Sequence, residues 1–166
     1  PLWQPWVFSG MPTAEAFTNI SNLYFPDYFF RIFFIPGRLI QLAHLIFTGL
    51  GGFFLLKYIR CSPLSSFLGS SAFMMMPFMI TMVVFGHGSQ MMTAAYIPWI
   101  MYLTIKIMQK PIMLNIGFLA ILMGLQLQRA HAQIAYYTWM LAGAYVLFTL
   151  ISTYKVPEKR NTSLYG

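Results

Sequence analysis

The chain has 166 residues, of which 58% are hydrophobic and only 8% are charged. A soluble domain carries about a quarter charged residues, and one of this length could not cover so many apolar side chains with polar surface. The composition therefore excludes an ordinary soluble fold and predicts an integral membrane protein. The net charge of +7 is typical of basic helix ends at a membrane, and no basic patch in polar sequence favours a nucleic-acid partner.

The N-terminal part of the chain, residues 1–37, is rich in Trp, Tyr, Phe and Pro and contains scattered polar groups. Aromatic rings that carry a polar atom favour the headgroup layer of a bilayer. We predict an extracytoplasmic interfacial loop here, in which short helices can lie flat without spanning the membrane. Because the chain begins at Pro1 and ends without a closing pattern, we expect it to be a fragment of a longer polytopic protein.

Five apolar runs follow this loop, at residues 38–59, 64–86, 91–108, 112–128 and 134–154. A helix needs about 20 apolar residues to cross a hydrocarbon core of about 30 Å, so the fourth run is short for a span. Pro98 lies inside the third run and is expected to kink its helix. No run alternates apolar and polar residues as a barrel strand would. The sequence predicts an all-α polytopic membrane protein with about five transmembrane helices.

Basic residues are distributed unevenly between the two ends of these runs. Seven are Lys57, Arg60, Lys106, Lys110, Lys155, Lys159 and Arg160, and the other three are Arg31, Arg38 and Arg129. The positive-inside rule places the larger group in the cytoplasm. The N-terminal loop and the turns at 87–90 and 129–133 are then expected outside, and the truncated basic tail at 155–166 is expected inside.

Two of the external turns carry the same types of side chain. The first contains His87 and Gln90, and the second contains Arg129, His131 and Gln133. Each turn opens a helix, where free backbone N–H groups and the positive end of the helix dipole favour an anion. These five side chains are our candidates for binding a phosphate. The alternative is that they only cap helices and contact water.

Acidic residues are scarce, with Glu15, Asp27 and Glu158 as the complete set. Asp27 and Glu15 lie in the external loop, where a carboxylate can accept a proton from an attacking hydroxyl or hold a divalent cation. They are the candidate catalytic residues, although either could simply cap a turn. The sequence contains no His/Cys metal spacing, no phosphate-binding glycine loop and no serine nucleophile motif, and it identifies no cofactor.

Three polar residues lie within the apolar runs, namely His44, Asn115 and Gln126. Polar groups at membrane depth are costly and tend to face the protein interior. They could line the cavity of a non-catalytic transporter or flippase for a lipid or small solute. They could equally form hydrogen bonds between helices in an enzyme or in a structural subunit.

Six short segments stand out in order along nearly the whole chain. They are PLWQPWVFSGMP at 1–12, YFP at 24–26, GH at 86–87 followed by AYIPW at 95–99, and LQ at 125–126 followed by HAQIAYY at 131–137. In this order they resemble the bacterial YfhO family of membrane proteins. The resemblance implies a large plasma-membrane protein similar to glycosyltransferases of the GT-C architecture.

The resemblance also implies an activity, a donor and an acceptor. A sugar would be transferred from a polyprenyl-phosphate donor to an envelope polymer or lipid on the extracytoplasmic face. In such enzymes an acidic catalytic residue lies early in the first external loop, a stretch that would precede Pro1. The five phosphate-binding candidates would stabilise the departing negative charge. Asp27 or Glu15 would activate the acceptor only if the upstream acid does not.

Overall fold

The computed structural model describes residues 3–4, 11–12, 24–129 and 131–155. Two strands, β1 (Trp3–Gln4) and β2 (Met11–Pro12), form a short antiparallel pair. The helices of the described part are α1 (Phe25–Ile32), α2 (Gly37–Tyr58), α3 (Pro63–Met74), α4 (Pro77–Val84), α5 (Gly88–Ala94), α6 (Ile97–Gln109), α7 (Met113–Gln128) and α8 (Ala132–Lys155). The chain is an all-α polytopic membrane protein.

Four segments of the described chain are long and apolar enough to cross a membrane. They are α2, the α3–α4 segment, the α5–α6 segment and α8, each contributing 22 residues. With 16 residues, α7 reaches about 24 Å and is shorter than a typical hydrocarbon core. The α5–α6 segment is 56% buried, whereas the others are at most 22% buried. It is therefore the central span.

Two of the spans are interrupted, each just before a proline. The apolar run at 64–86 was expected to be continuous, but its helix ends at Met74 and resumes at Pro77. The run at 91–108 begins earlier than expected, at Gly88, and is interrupted at Ala95 and Tyr96. Pro77 and Pro98 each lie in the first turn of the following helix. Proline is tolerated there because the first N–H groups of a helix have no partner within that helix.

Helices α2 and α3 pack closely through small residues. A Cβ added at Gly52 would lie 3.1 Å from the Ser70 Cβ, and one added at Gly69 would lie 2.8 Å from a methyl group of Leu56. The Ser66 and Ser70 hydroxyls are buried and donate to carbonyls of their own helix. Close approach of backbones through small residues is the usual way in which membrane helices gain dispersion energy.

The contact between α2 and α6 depends on one glycine. The Trp99 indole donates from Nε1 to the Phe47 carbonyl at 2.8 Å and stacks on the Phe47 ring at 5.2 Å. A Cβ added at Gly51 would lie 2.6 Å from two atoms of this indole. The indole is a rigid ring, so it cannot yield as the end of a flexible side chain would.

We therefore expect Gly51→Ala to lower the free energy of unfolding by about 1–3 kcal/mol, as overpacking typically does. Gly117→Ala in α7 is the matched control, because a Cβ there meets nothing within 4 Å. Thermal unfolding of both variants in bicelles measures the difference. Equal melting temperatures for the two variants would show that α2 and α6 accommodate the added methyl group without a loss of stability.

Candidate functional site

Several of the side chains that were selected from the sequence lie at one end of the bundle. The N-terminus of α1, the C-terminus of α7 and the turns that open α5 and α8 all contribute residues to this end. Asp27 lies in the first turn of α1, and Arg129 is the C-cap residue of α7. His87 is the N-cap residue of α5, and the His131 carbonyl accepts the first backbone hydrogen bonds of α8.

Asp27 and Arg129 form an ion pair. The Arg129 Nη1 donates to both carboxylate oxygens of Asp27 at 3.2 Å. The Arg129 side chain is 5% exposed and that of Asp27 is 22% exposed. A carboxylate in the first turn of a helix is also favoured by the helix dipole. The ion pair connects the start of α1 to the end of α7. A second contact between the same two helix ends is the Phe25 N–H, which donates to the Gln128 side chain at 3.4 Å.

The rest of the Arg129 guanidinium has weaker partners. Its Nη2 donates to the Met92 thioether sulfur at 2.9 Å, and thioethers are weak acceptors. The guanidinium carbon lies 4.4 Å from the centroid of the Tyr24 ring, which places the cation over the ring face. The buried Nε has no hydrogen-bond partner. Arg129 therefore retains a donor that its protein contacts do not use.

Below this pair, two tyrosines and a histidine form a buried hydrogen-bonded chain. His44 Nδ1 donates to the Ile40 carbonyl at 2.8 Å, so its Nε2 is the acceptor for the Tyr24 hydroxyl at 3.1 Å. The Tyr96 hydroxyl in turn donates to the Tyr24 oxygen. Burial raises the pKa of Tyr24, so its hydroxyl stays protonated and able to donate. These hydrogen bonds fix the position of the Tyr24 ring, over which the Arg129 guanidinium lies.

A cavity of about 270 Å³ adjoins the tyrosine–histidine chain. It is lined by Tyr24 and by residues of α1, α2 and α7, among them Phe30, His44, Phe47 and Leu122. Most of its lining residues are aromatic or aliphatic, and His44, Tyr24 and Tyr96 supply its polar groups. Such a space suits an apolar group that carries a polar end.

The two histidine-bearing turns also approach one another. The His131 imidazole is half-buried, and its buried Nδ1 has no hydrogen-bond partner. Burial lowers the pKa of His131, and the nearby His87 imidazole lowers it further because two cations repel each other. His87 itself is exposed. Two turns that are 44 positions apart in the sequence therefore lie close together.

We expect the lowered pKa of His131 to make the fold sensitive to acid. The unfolded chain binds a proton near pH 6.5, whereas the folded chain binds it only at lower pH. Stability is therefore fully present above pH 6.5 and falls as the pH drops toward the folded pKa. Thermal unfolding at a series of pH values measures the loss, and His131→Gln should reduce it. An unchanged acid sensitivity in this variant would contradict the expectation.

The other candidates of the sequence stand apart from the ion pair. Gln90 is half-buried in the first turn of α5. Gln133 is exposed and donates to the Tyr137 hydroxyl on its own helix at 3.1 Å. Glu15 lies outside the described residues. No cluster of three His, Cys, Asp or Glu side chains suited to a metal ion is found within the described residues.

The three polar residues of the membrane segments do not share a cavity wall. His44 lines the cavity described above, whereas Gln126 is fully buried among α5, α7 and α8. Gln126 donates to Thr138 Oγ1 at 3.0 Å and to the Thr93 carbonyl, and accepts from the Trp139 indole at 3.0 Å. Asn115 is buried 11 positions earlier on α7, and its Nδ2 has no partner. Gln126 therefore connects α5, α7 and α8 by hydrogen bonds.

Comparisons with known proteins were made at the level of families, curated sequences and structures. No family model, curated protein or solved structure matches the chain. The YfhO resemblance and the activity that it implies therefore stay predictions.

Sequence reasoning missed three residues of the site, namely Tyr24, Tyr96 and Met92. Tyr24 and Tyr96 lie within the segments YFP and AYIPW, which were noted for their resemblance alone. A signal was present, because a buried tyrosine needs a hydrogen-bond partner and His44 lies at membrane depth. Nothing in the sequence distinguishes Met92 from the other 12 methionines of the chain.

Proposed function

We propose that this chain is a module of a GT-C-like membrane glycosyltransferase. It would transfer a sugar from a polyprenyl-phosphate donor to an envelope polymer or lipid on the extracytoplasmic face of a bacterial plasma membrane. One observation carries the proposal: Asp27, Arg129 and the two histidine-bearing turns lie at the same end of the bundle. This end joins a carboxylate to several groups that can stabilise a phosphate.

The positive and N–H-bearing groups would bind the phosphate of the donor. Arg129 contributes a guanidinium with an unused Nε donor. His131 precedes α8 directly, so a phosphate near its imidazole also meets the free N–H groups of the first turn. His87, which lies close enough to His131 to lower its pKa, would be a second imidazole for the phosphate, and Gln90 and Gln133 remain candidates as carboxamide donors. Preorganised donors that meet the charge as it develops on the leaving phosphate lower the barrier to transfer.

Asp27 would have one of two roles. Arg129 does not use all the lone pairs of the carboxylate, and 22% of the side chain is exposed, so Asp27 can still accept the proton of an attacking hydroxyl. If a carboxylate upstream of Pro1 performs that step, Asp27 instead orients Arg129. Glu15 remains the second candidate for the base in this chain.

The decisive test is sugar transfer by the full-length protein. His131→Ala and Arg129→Lys should each slow transfer from a polyprenyl-phosphate sugar by roughly 10²–10³-fold, the usual effect of removing one charge-stabilising donor. Arg129→Lys keeps the positive charge facing Asp27, so folding should survive while the planar set of donors is lost. Arg38→Ala is the control, because this exposed cation lies in the first turn of α2 and is not a member of the ion pair.

Unchanged rates in both variants would remove the proposed site. Reconstitution into liposomes separates the rival function, since a transporter or flippase would move lipid or solute across the bilayer without transferring sugar. Such translocation, surviving the loss of Asp27, would replace the proposal by the transporter hypothesis.

A further inference from the structure

Helix α1 carries an apolar stripe that faces away from the rest of the molecule. Phe25, Tyr28, Phe29 and Ile32 recur at the i, i+3, i+4 and i+7 spacing of one helix face. Their exposed fractions are 74, 51, 57 and 70%. The stripe continues beyond the helix in Phe33 and Phe34, which are 61 and 92% exposed. No residue of α1 is buried.

The inward face of α1 has the opposite character. Asp27 points to Arg129, and Phe30 alone among the aromatic residues of α1 lines the cavity. A helix on the surface of a soluble protein turns its apolar stripe to the core and its charges to water. Here the Asp27 carboxylate is turned to the protein and the aromatic stripe away from it. This reversal indicates that the medium outside α1 is apolar.

The dimensions of α1 exclude a membrane span. Its eight residues extend about 12 Å, which is less than half of a hydrocarbon core. Four residues after α1 ends, α2 begins a membrane span at Gly37. Leu39, Leu42 and Ile46 of α2 are each at least half exposed. The chain therefore passes, over a four-residue connection, from the exposed apolar stripe of α1 to a span that also exposes apolar side chains.

We propose that α1 is an in-plane helix whose outward stripe lies at the boundary between the lipid headgroups and the acyl chains. The partner of this surface is then the bilayer itself, and Arg31, exposed in the last turn of α1, can reach lipid phosphates. Helices of this kind bury their apolar face at the boundary between headgroups and acyl chains. The ion pair and the tyrosine–histidine chain hold the other face of the segment to the bundle. This inference is independent of the proposed glycosyl transfer.

Spin labels test this placement in the full chain reconstituted into phosphatidylcholine and phosphatidylglycerol vesicles. Cys61→Ser provides a background without thiols, and Phe29→Cys and Ile32→Cys then carry the nitroxide. Accessibility to oxygen relative to an aqueous nickel complex reports depth. We expect both labels to lie shallower than one at Ile46→Cys in α2 and deeper than one at the exposed Lys110→Cys.

Two results would overturn the proposal. Nickel accessibility at both positions equal to that at Lys110→Cys would place the stripe in water. Dipolar broadening between labels on different molecules, lost on dilution with unlabelled protein, would show that a second copy covers the stripe. Since both labelled side chains are exposed, the variants should fold.

Discussion

Asp27→Ala should lower the free energy of unfolding by about 3–5 kcal/mol, the typical cost of breaking one partner out of a buried ion pair. The Arg129 side chain is 5% exposed, so without the carboxylate its charge would stay buried and uncompensated. Neither the Met92 sulfur nor the Tyr24 ring carries a negative charge that could replace it. Unfolding by SDS titration or by heat in bicelles measures the loss.

Two further variants separate this effect from a general weakening of α1. Arg31→Ala removes an exposed charge from the same helix and should change stability by no more than about 0.5 kcal/mol. Asp27→Ala combined with Arg129→Met removes both charges and should be more stable than Asp27→Ala alone, because the buried charge is gone. A double variant that is less stable than either single variant would contradict this account.

Gln126→Leu should lower the free energy of unfolding by about 3–5 kcal/mol. Each hydrogen bond between membrane helices contributes about 0.6 kcal/mol on average, and leaving a buried donor without an acceptor costs about 1–3 kcal/mol more. Gln126 makes three such bonds, and its removal would leave the Trp139 indole N–H without its acceptor. The contact between α5, α7 and α8 would therefore lose these hydrogen bonds.

Asn115→Leu is the matched control for this prediction. Both residues are buried amides on α7, but the Asn115 Nδ2 has no partner. Replacing a buried polar group that gains little should be neutral or stabilising. The two variants should therefore differ in the sign or size of their effect on the unfolding midpoint. Equal destabilisation would mean that burial alone, and not hydrogen bonding, decides the cost at this depth.

The helices of this fold were largely predictable because lipid imposes a simple requirement on the sequence. A span needs a long apolar run, and the five runs correspond to α2, α3–α4, α5–α6, α7 and α8. The interruption near Pro98 was anticipated, but the one at Pro77 was not. Both prolines occupy the first turn of a helix, and Pro77 follows three methionines whose apolar character hides the boundary.

The site was predictable only in part. The two histidine-bearing turns were selected because they recur at matching ends of helices, and topology then brings them together. The pairing of Asp27 with Arg129 joins residues 102 positions apart, and no local pattern encodes such a contact. The sequence instead presented these two residues as separate candidates, a carboxylate and a phosphate ligand. Whether each acts on a substrate is a question for the transfer assay.

The small-residue contact between α2 and α3 bears on how the protein is made. The two helices are separated by only four residues, Ile59 to Ser62, and their glycines and serines meet face to face. Neighbours in sequence that pack this closely can associate soon after synthesis, without waiting for later segments. The α5–α6 segment would then pack against an α2–α3 hairpin that has already formed. The helices would assemble in the order in which they are translated.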